Sequence, residues 1–273
     1  MAPEKKTHVP AAMPFLKRHI LADVVKFLIV VTAFGWLILN GTRQLGYHWQ
    51  WYRVPQYIVM TIDGQAVAGP LIRGLQTTLR ITAISLLLAF FFGLTSALMR
   101  LSRSFMARSA ARGYLEIIRN TPLLVQLFFI YFVLGPVLDI SGFTSAVLAL
   151  SLFEGAYASE IFRAGIVSIQ RGQWEAAFSI GLNTYQAYRF IILPQALRRI
   201  LPPLTSQAIS LIKDSALVSI IAIYDLTMRA QTIIAETFLV FEIWFTVAAI
   251  YLSITLLLSA SVSYMERRLK VGT

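Results

Sequence analysis

The 273-residue chain contains no cysteine, which rules out a disulfide framework and any thiolate metal site and leaves its redox compartment unreadable. Histidine is almost as scarce: His8, His19 and His48 stand near or outside the first apolar stretch, and no metal-spaced cluster surrounds them. A membrane enzyme would need convergent catalytic groups, and none are seen, so no catalytic or metal site is expected. There is no G-x-x-x-x-G-K-[ST] phosphate loop, so by that route the chain cannot hydrolyse ATP itself. Acidic charge is also short, with 13 Asp and Glu against 24 Lys and Arg, and charged residues make up only 14% of the chain. The net charge of +11 invites a nucleic-acid partner. Its distribution excludes one, because the basic residues sit in separate loops rather than on one folded face. No internal repeat is evident, nor a soluble segment large enough to capture a solute.

Apolar residues are what the chain has in quantity, at 57% of the total and a mean hydropathy of +0.69. Residues 81–99 and 243–262 carry no charge and are long enough to cross a bilayer, which takes about 20 residues. Six spans are predicted: 23–40, 75–99, 122–138, 143–165, 204–224 and 241–264. The first follows a basic segment and resembles a signal peptide, but no small-residue cleavage site follows it, so it is read as an uncleaved span with Lys26 snorkelling at its start. The fold class is therefore all-α, a polytopic membrane protein. Residues 114–120 make a helical lead-in, with Thr121 as N-cap and Pro122 at the first position of the third span. Residues 41–70, rich in Trp and Tyr, suit the headgroup level on the outer side.

Eighteen of the 24 basic residues fall in residues 1–26, in 100–119, in 163–199 and in the tail. By the positive-inside rule those segments and both termini are cytoplasmic. The chain divides into a basic N-terminus with the first span and an aromatic outer segment (1–70), a membrane domain (71–265) and a basic tail (266–273).

The longest basic insertion between spans, within 166–200, contains Glu175-Ala176-Ala177, then Gly181, then nine residues, then Ile191-Ile192-Leu193-Pro194. Residues 173–179 are long enough for about two helical turns, with Glu175 near the positive end of the helix dipole. Ala176 and Ala177 make a small face that another backbone can approach. Gly181 permits a turn that a Cβ would resist, and a second short helix starts at about Thr184. Pro194 breaks or kinks the helix before it, and Pro202-Pro203 marks a further helix start. An ordinary interfacial amphipathic helix is the alternative reading.

Ionisable residues within spans are costly and usually face a cavity or a partner. Glu154 lies midway along the fourth span beside Gly155 and Ala156, suited either to the ammonium of a solute or to bonding a neighbouring helix. Lys213 and Asp214, adjacent in the fifth span, diverge by about 100° and each requires another partner. Gln126 offers a further hydrogen bond in the pathway or between helices. Glu160 and Arg163 are close enough to the span end for local pairing.

From about Gly69 to Arg267 the motifs RNTPLLVQLFFIYF, GAYASEIFRAGI, GQWEAA with IILPQALRR, and SLIKDSALVSI resemble those of bacterial ABC importer permeases, the branch that carries polar amino acids. KDSAL stands where KDTSL is common in that branch. The resemblance implies a five-helix importer core, to which the N-terminal helix adds one, in the bacterial inner membrane. It implies that Gly172, Glu175, Ala176, Ala177, Gly181, Leu193 and Pro194 belong to coupling helices docking on a cytoplasmic ABC ATPase dimer, which hydrolyses the ATP, so that this chain binds no cofactor. A second permease subunit, identical or homologous, and an extracytoplasmic amino-acid-binding protein are the other implied partners. An ion-coupled secondary transporter of amino acids or another small polar solute is the rival class, using Glu154 or Asp214, but it predicts inverted repeats that are not found.

Overall fold

The computed structural model describes residues 14–44 and 46–269. These residues fall into two compact units divided between Trp49 and Gln50. The first contains one helix, α1 (Pro14–Gln44), whose stretch Ala22–Gly41 is long and apolar enough to cross a membrane. Phe27, Ile29, Val30, Phe34 and Trp36 are all exposed within it, as expected of a helix solvated by lipid. Lys26 lies 3.5 Å from Asp23 at its entry.

The second unit opens with a short helix α2 (Pro55–Ile58) and a hairpin of β1 (Val59–Ile62) and β2 (Gln65–Ala68). Its turn is Asp63-Gly64, both at positive φ (52° and 75°), the pairing a two-residue hairpin loop prefers. Gly69 then caps α3 (Pro70–Leu101), with proline in its first turn. After α3 come α4 (Phe105–Arg119), α5 (Leu123–Phe128), a π-helical segment Phe129–Leu134 and α6 (Gly135–Leu138). The chain continues through α7 (Gly142–Val167), α8 (Arg171–Ser179), α9 (Thr184–Ala187), a π-helical turn Tyr188–Ile192, α10 (Leu193–Asp214) and a 3₁₀ segment Ser215–Ile221. It ends with α11 (Leu226–Thr237) and α12 (Val240–Leu269).

Among the described residues five helices are long and apolar enough to cross a membrane, or six if the bent pair α4 and Leu123–Leu138 counts as one span. That pair covers the helical lead-in and the third span expected from the sequence, the bend between them being the new feature. The residues 123–138 alone extend about 24 Å at 1.5 Å per residue, short of a roughly 30 Å hydrocarbon core. They meet α4 at a 105° bend. Pro122, not Thr121, is the N-cap, its ψ of 140° turning the chain out of the α region. Thr121 instead donates its hydroxyl back to the Ile117 carbonyl at 2.8 Å.

A second difference concerns the prolines. Residues 184–221 form one continuous helical rod, so Pro202-Pro203 does not start a helix and lies inside α10. Proline in a helix interior ordinarily costs about 3 kcal/mol. Within membranes, neighbouring helices and Ser or Thr hydroxyls lessen the disturbance. Here the carbonyls left without amide donors are those of Arg198 and Arg199, and one turn further on the Thr205 hydroxyl donates to the carbonyls of Leu201 (2.9 Å) and Pro202 (2.8 Å). Pro194 likewise does not end the helix; the π-turn just before it lets the rod run on with altered pitch.

Three buried clusters hold the second unit together. The central one joins Ile81, Leu127, Leu150, Leu211 and Val218. One at the end near the hairpin joins Leu71, Leu226, Ile233 and Ile243, and there Asp225 caps α11, accepting from the Met228 amide at 2.8 Å. Burial pushes the Asp225 carboxyl up to about 6. The third, at the opposite end, joins Ala97, Phe162, Ile169, Ile192 and Ile200. At the start of the second unit the Gln50 amide donates to the buried Glu242 carboxylate at 2.6 Å.

Helices α3 and α7 pack by glycine. A Cβ on Gly93 would stand 2.7 Å from the Ala158 Cβ, and one on Gly155 would stand 2.9 Å from the Phe92 Cβ and 3.0 Å from the Tyr114 hydroxyl. Gly155→Val should therefore destabilise the detergent-solubilised protein by roughly 1–3 kcal/mol, the usual cost of overpacking. Gly113→Ala on α4, where a Cβ meets nothing within 4 Å, should be neutral or stabilising. Thermal unfolding of the two variants checks this, and equal melting temperatures would contradict the packing argument.

Candidate functional site

Two regions carry candidate functional groups. The first is the segment between α7 and α10. Helix α8 ends in a Schellman arrangement: the Gly181 amide donates to the Phe178 carbonyl (3.0 Å) and the Leu182 amide to the Ala177 carbonyl (3.1 Å). That closure needs a left-handed residue, and Gly181 supplies it at φ +81°. The chain restarts at once through a capping box, in which Asn183 Oδ1 accepts from the Gln186 amide and Gln186 Oε1 accepts from the Asn183 amide, both at 2.9 Å. The N-T-Y-Q sequence carried that signal, although the box was not foreseen. Two short helices thus meet at a sharp, fully hydrogen-bonded corner.

The corner is seated on its own end of the unit. Trp174 packs edge-on against Tyr188 with centroids 4.7 Å apart, Gln195 Nε2 donates to Gln173 Oε1 at 2.8 Å, and Arg199 Nη1 donates to the Ser168 hydroxyl at 2.9 Å. Gly165 admits Ile200 so closely that no Cβ fits between α7 and α10.

Of the residues assigned to this segment, Gly172, Glu175, Ala176 and Gly181 are exposed on α8 and its corner, and Leu193 and Pro194 are exposed on α10. Ala177 is buried at 2%. The expected two-alanine docking face is therefore a single alanine, since successive helical residues point about 100° apart and Ala177 is the one turned inward. Glu175 also departs from expectation. It is the fifth residue of α8, and the first turn holds no acidic residue, so the dipole does not account for it. Phe178, Ile180 and Tyr185 are large, apolar and exposed beside these residues.

The second region is a cavity of about 240 Å³ between α3, α7 and α10. Leu86, Phe90, Ala158 and Leu204 make most of its wall; its polar lining is Glu154, Thr205 and Gln207. Glu154 is 2% exposed and its Oε1 has no hydrogen-bond partner. Gln207 of α10 lines the same cavity as the carboxylate. Gln207 was not foreseen, because a glutamine fifty-odd residues from its partner leaves no trace in spacing.

The other pathway candidates separate. Gln126 does not line this cavity; its Nε2 donates to the Ile118 carbonyl (2.7 Å) and the Thr121 hydroxyl (2.8 Å), clamping the α4–α5 bend. Lys213 is exposed and Asp214 half-buried, and among the described residues neither side chain forms the ion pair expected of it. Glu160 does pair with Arg163, at 3.3 Å, and also with Arg100 and Arg119 from two other helices. No group of His, Asp and Glu among the described residues is placed to hold a metal ion.

The comparisons with known proteins converge on this architecture. The chain is 42% identical over 204 residues to the glutamine transport system permease protein GlnP of Escherichia coli (strain K12), covering 74% of this chain and 93% of that one. It is 42% identical over 199 residues to the L-cystine transport system permease protein TcyB of Bacillus subtilis (strain 168), covering 72% and 85%. Its fold overlays a crystal structure of an amino acid ABC transporter with histidines at a TM-score of 0.69 and 41% identity, covering 73% and 94%. Residues 86–271 match the family described as the inner membrane component of binding-protein-dependent transport systems, and with these identities the chain belongs to that family.

Proposed function

We propose that this chain is the permease subunit of an ATP-driven importer that carries a polar amino acid across the bacterial inner membrane. The observation that carries the proposal is the corner of α8 and α9, which exposes Glu175, Ala176 and Gly181 together with the apolar side chains of Phe178, Ile180 and Tyr185. Short exposed apolar faces rimmed by polar residues suit a protein partner. The partner is a cytoplasmic ABC ATPase dimer, which hydrolyses the ATP; this chain has no phosphate loop, binds no cofactor and performs no chemistry of its own. Both termini and the corner are then cytoplasmic, in line with the positive-inside count. The relatives are named for glutamine and L-cystine, which supports a polar amino acid as the cargo. Glu154 meets its ammonium in the cavity between α3, α7 and α10, and residues 71–265 form the permease domain proper.

A second permease subunit completes the pathway, because a handful of spans that must open alternately to two sides makes only half of one. An extracytoplasmic binding protein delivers the solute. Mass measurement of the intact detergent-extracted complex tests the assembly. Two permease chains with two ATPase chains are expected, and a transport-competent complex holding one permease chain overturns the pairing.

A further inference from the structure

Where α7 approaches the coupling corner, guanidinium groups from three helices crowd around Glu160. Its Oε1 accepts from Arg100 Nη1 at 2.6 Å and from Arg119 Nη1 at 3.2 Å, and its Oε2 accepts from Arg163 Nε and Nη2 at 3.3 Å. Beside it opens a cavity of about 340 Å³ lined by Arg100, Arg112, Glu116, Arg119, Tyr157 and Glu160, among others. The second carboxylate of the lining, Glu116, accepts from Asn120 Nδ2 at 2.9 Å. Both carboxylates are therefore engaged. Donors are not exhausted, because each guanidinium carries more N–H groups than the one Arg100 or Arg119 gives to Glu160. Arg112 forms no ion pair with either carboxylate. The Arg119 guanidinium is held 5.6 Å over the Tyr157 ring, which fixes its plane.

Surplus guanidinium donors converging on a cavity suit an oxyanion, which the planar fork binds bidentately. The helix that supplies two of them narrows the source. On α4, Arg108, Arg112 and Arg119 share a helix with Phe105, Met106 and Ile117, whose apolar side chains are exposed. A basic amphipathic helix of this kind lies in a membrane interface, and basic pockets beside spans receive anionic headgroups. We propose that the Arg100–Arg112–Arg119 cavity binds the phosphate of an anionic phospholipid headgroup, holding α3, α4 and α7 together next to the coupling corner.

The test uses the whole complex with its ATPase subunits, exchanged into nanodiscs of phosphatidylcholine with and without phosphatidylglycerol. Lipid retained after detergent washing is read by native mass spectrometry. Arg112→Gln leaves the Glu160 ion pairs in place, so folding should persist. It should weaken phosphatidylglycerol retention roughly tenfold, the loss of one charge-assisted interaction, with phosphatidylcholine unchanged. Arg112→Glu should abolish the preference. Radiolabelled inorganic phosphate, applied in phosphatidylcholine alone, separates the sources. If it binds wild type but not Arg112→Gln while both retain phosphatidylglycerol equally, the occupant is a free anion and the lipid assignment is overturned. Equal lipid retention and equal phosphate binding in the two proteins would overturn the site altogether.

Discussion

Glu175→Lys and Gly181→Val should each cut ATP-driven uptake at least tenfold, about 1.4 kcal/mol of lost coupling, while the permease remains folded and in the membrane. The two variants act by different routes. Gly181 holds φ +81° and closes the Schellman corner, a conformation that costs a residue with a Cβ about 1–2 kcal/mol and a β-branched one more. Space is not the obstacle, since a Cβ there meets nothing within 4 Å. The strain can be relieved by unwinding the last turn of α8, which moves Phe178 and Ile180 out of place without touching the core. Glu175 is exposed and makes no side-chain hydrogen bond or ion pair among the described residues, so reversing its charge alters only what a partner meets. Uptake and ATP hydrolysis measured together in proteoliposomes decide the matter. Normal uptake in both variants would mean that this corner does not couple the two subunits.

For Glu154→Gln, uptake should fall by one to two orders of magnitude with little loss of thermal stability. The substitution keeps shape and hydrogen-bonding capacity and removes the charge. A charge-assisted hydrogen bond contributes about 1.5–3 kcal/mol, which sets the expected range. Glu154 lies in an apolar cavity with Oε1 unpartnered, a costly placement that a bound cation offsets. Among the described residues no Lys or Arg lines that cavity, which leaves the carboxylate open to the ammonium of a solute. Gln207→Leu, which removes the one side-chain amide beside the carboxylate, should lower uptake less than Glu154→Gln does. If Glu154→Gln leaves both substrate affinity and uptake unchanged, the carboxylate serves helix packing, and the permease reading survives without it.

Local signals are what the sequence alone made legible. Predominantly apolar runs marked the spans of α1, α3, α7 and α12, because crossing a bilayer takes about 20 mostly apolar residues in succession. The corner of α8 and α9 was readable for a related reason: Gly181 and the helix start at Thr184 act on residues within one or two turns. The Asp63-Gly64 hairpin carries an equally local signal, since the pair supplies the two positive φ angles of its turn.

Tertiary structure decided the rest. Proline marks a boundary only when nothing else holds the backbone, and here a π-turn and packing against α7 let Pro194, Pro202 and Pro203 remain in one rod. The turn before α5 follows from Pro122, but its 105° geometry depends on Gln126 reaching back to Ile118. Whether an alanine of the corner faces a partner or the interior, which guanidiniums surround Glu160, and that Gln207 stands beside Glu154 all depend on helices far apart in the chain. Sequence determined the class, four of the spans and the corner of this protein, because their causes are short-ranged. Only the packed structure placed its charges, since a buried carboxylate is defined by whatever the other helices bring to it.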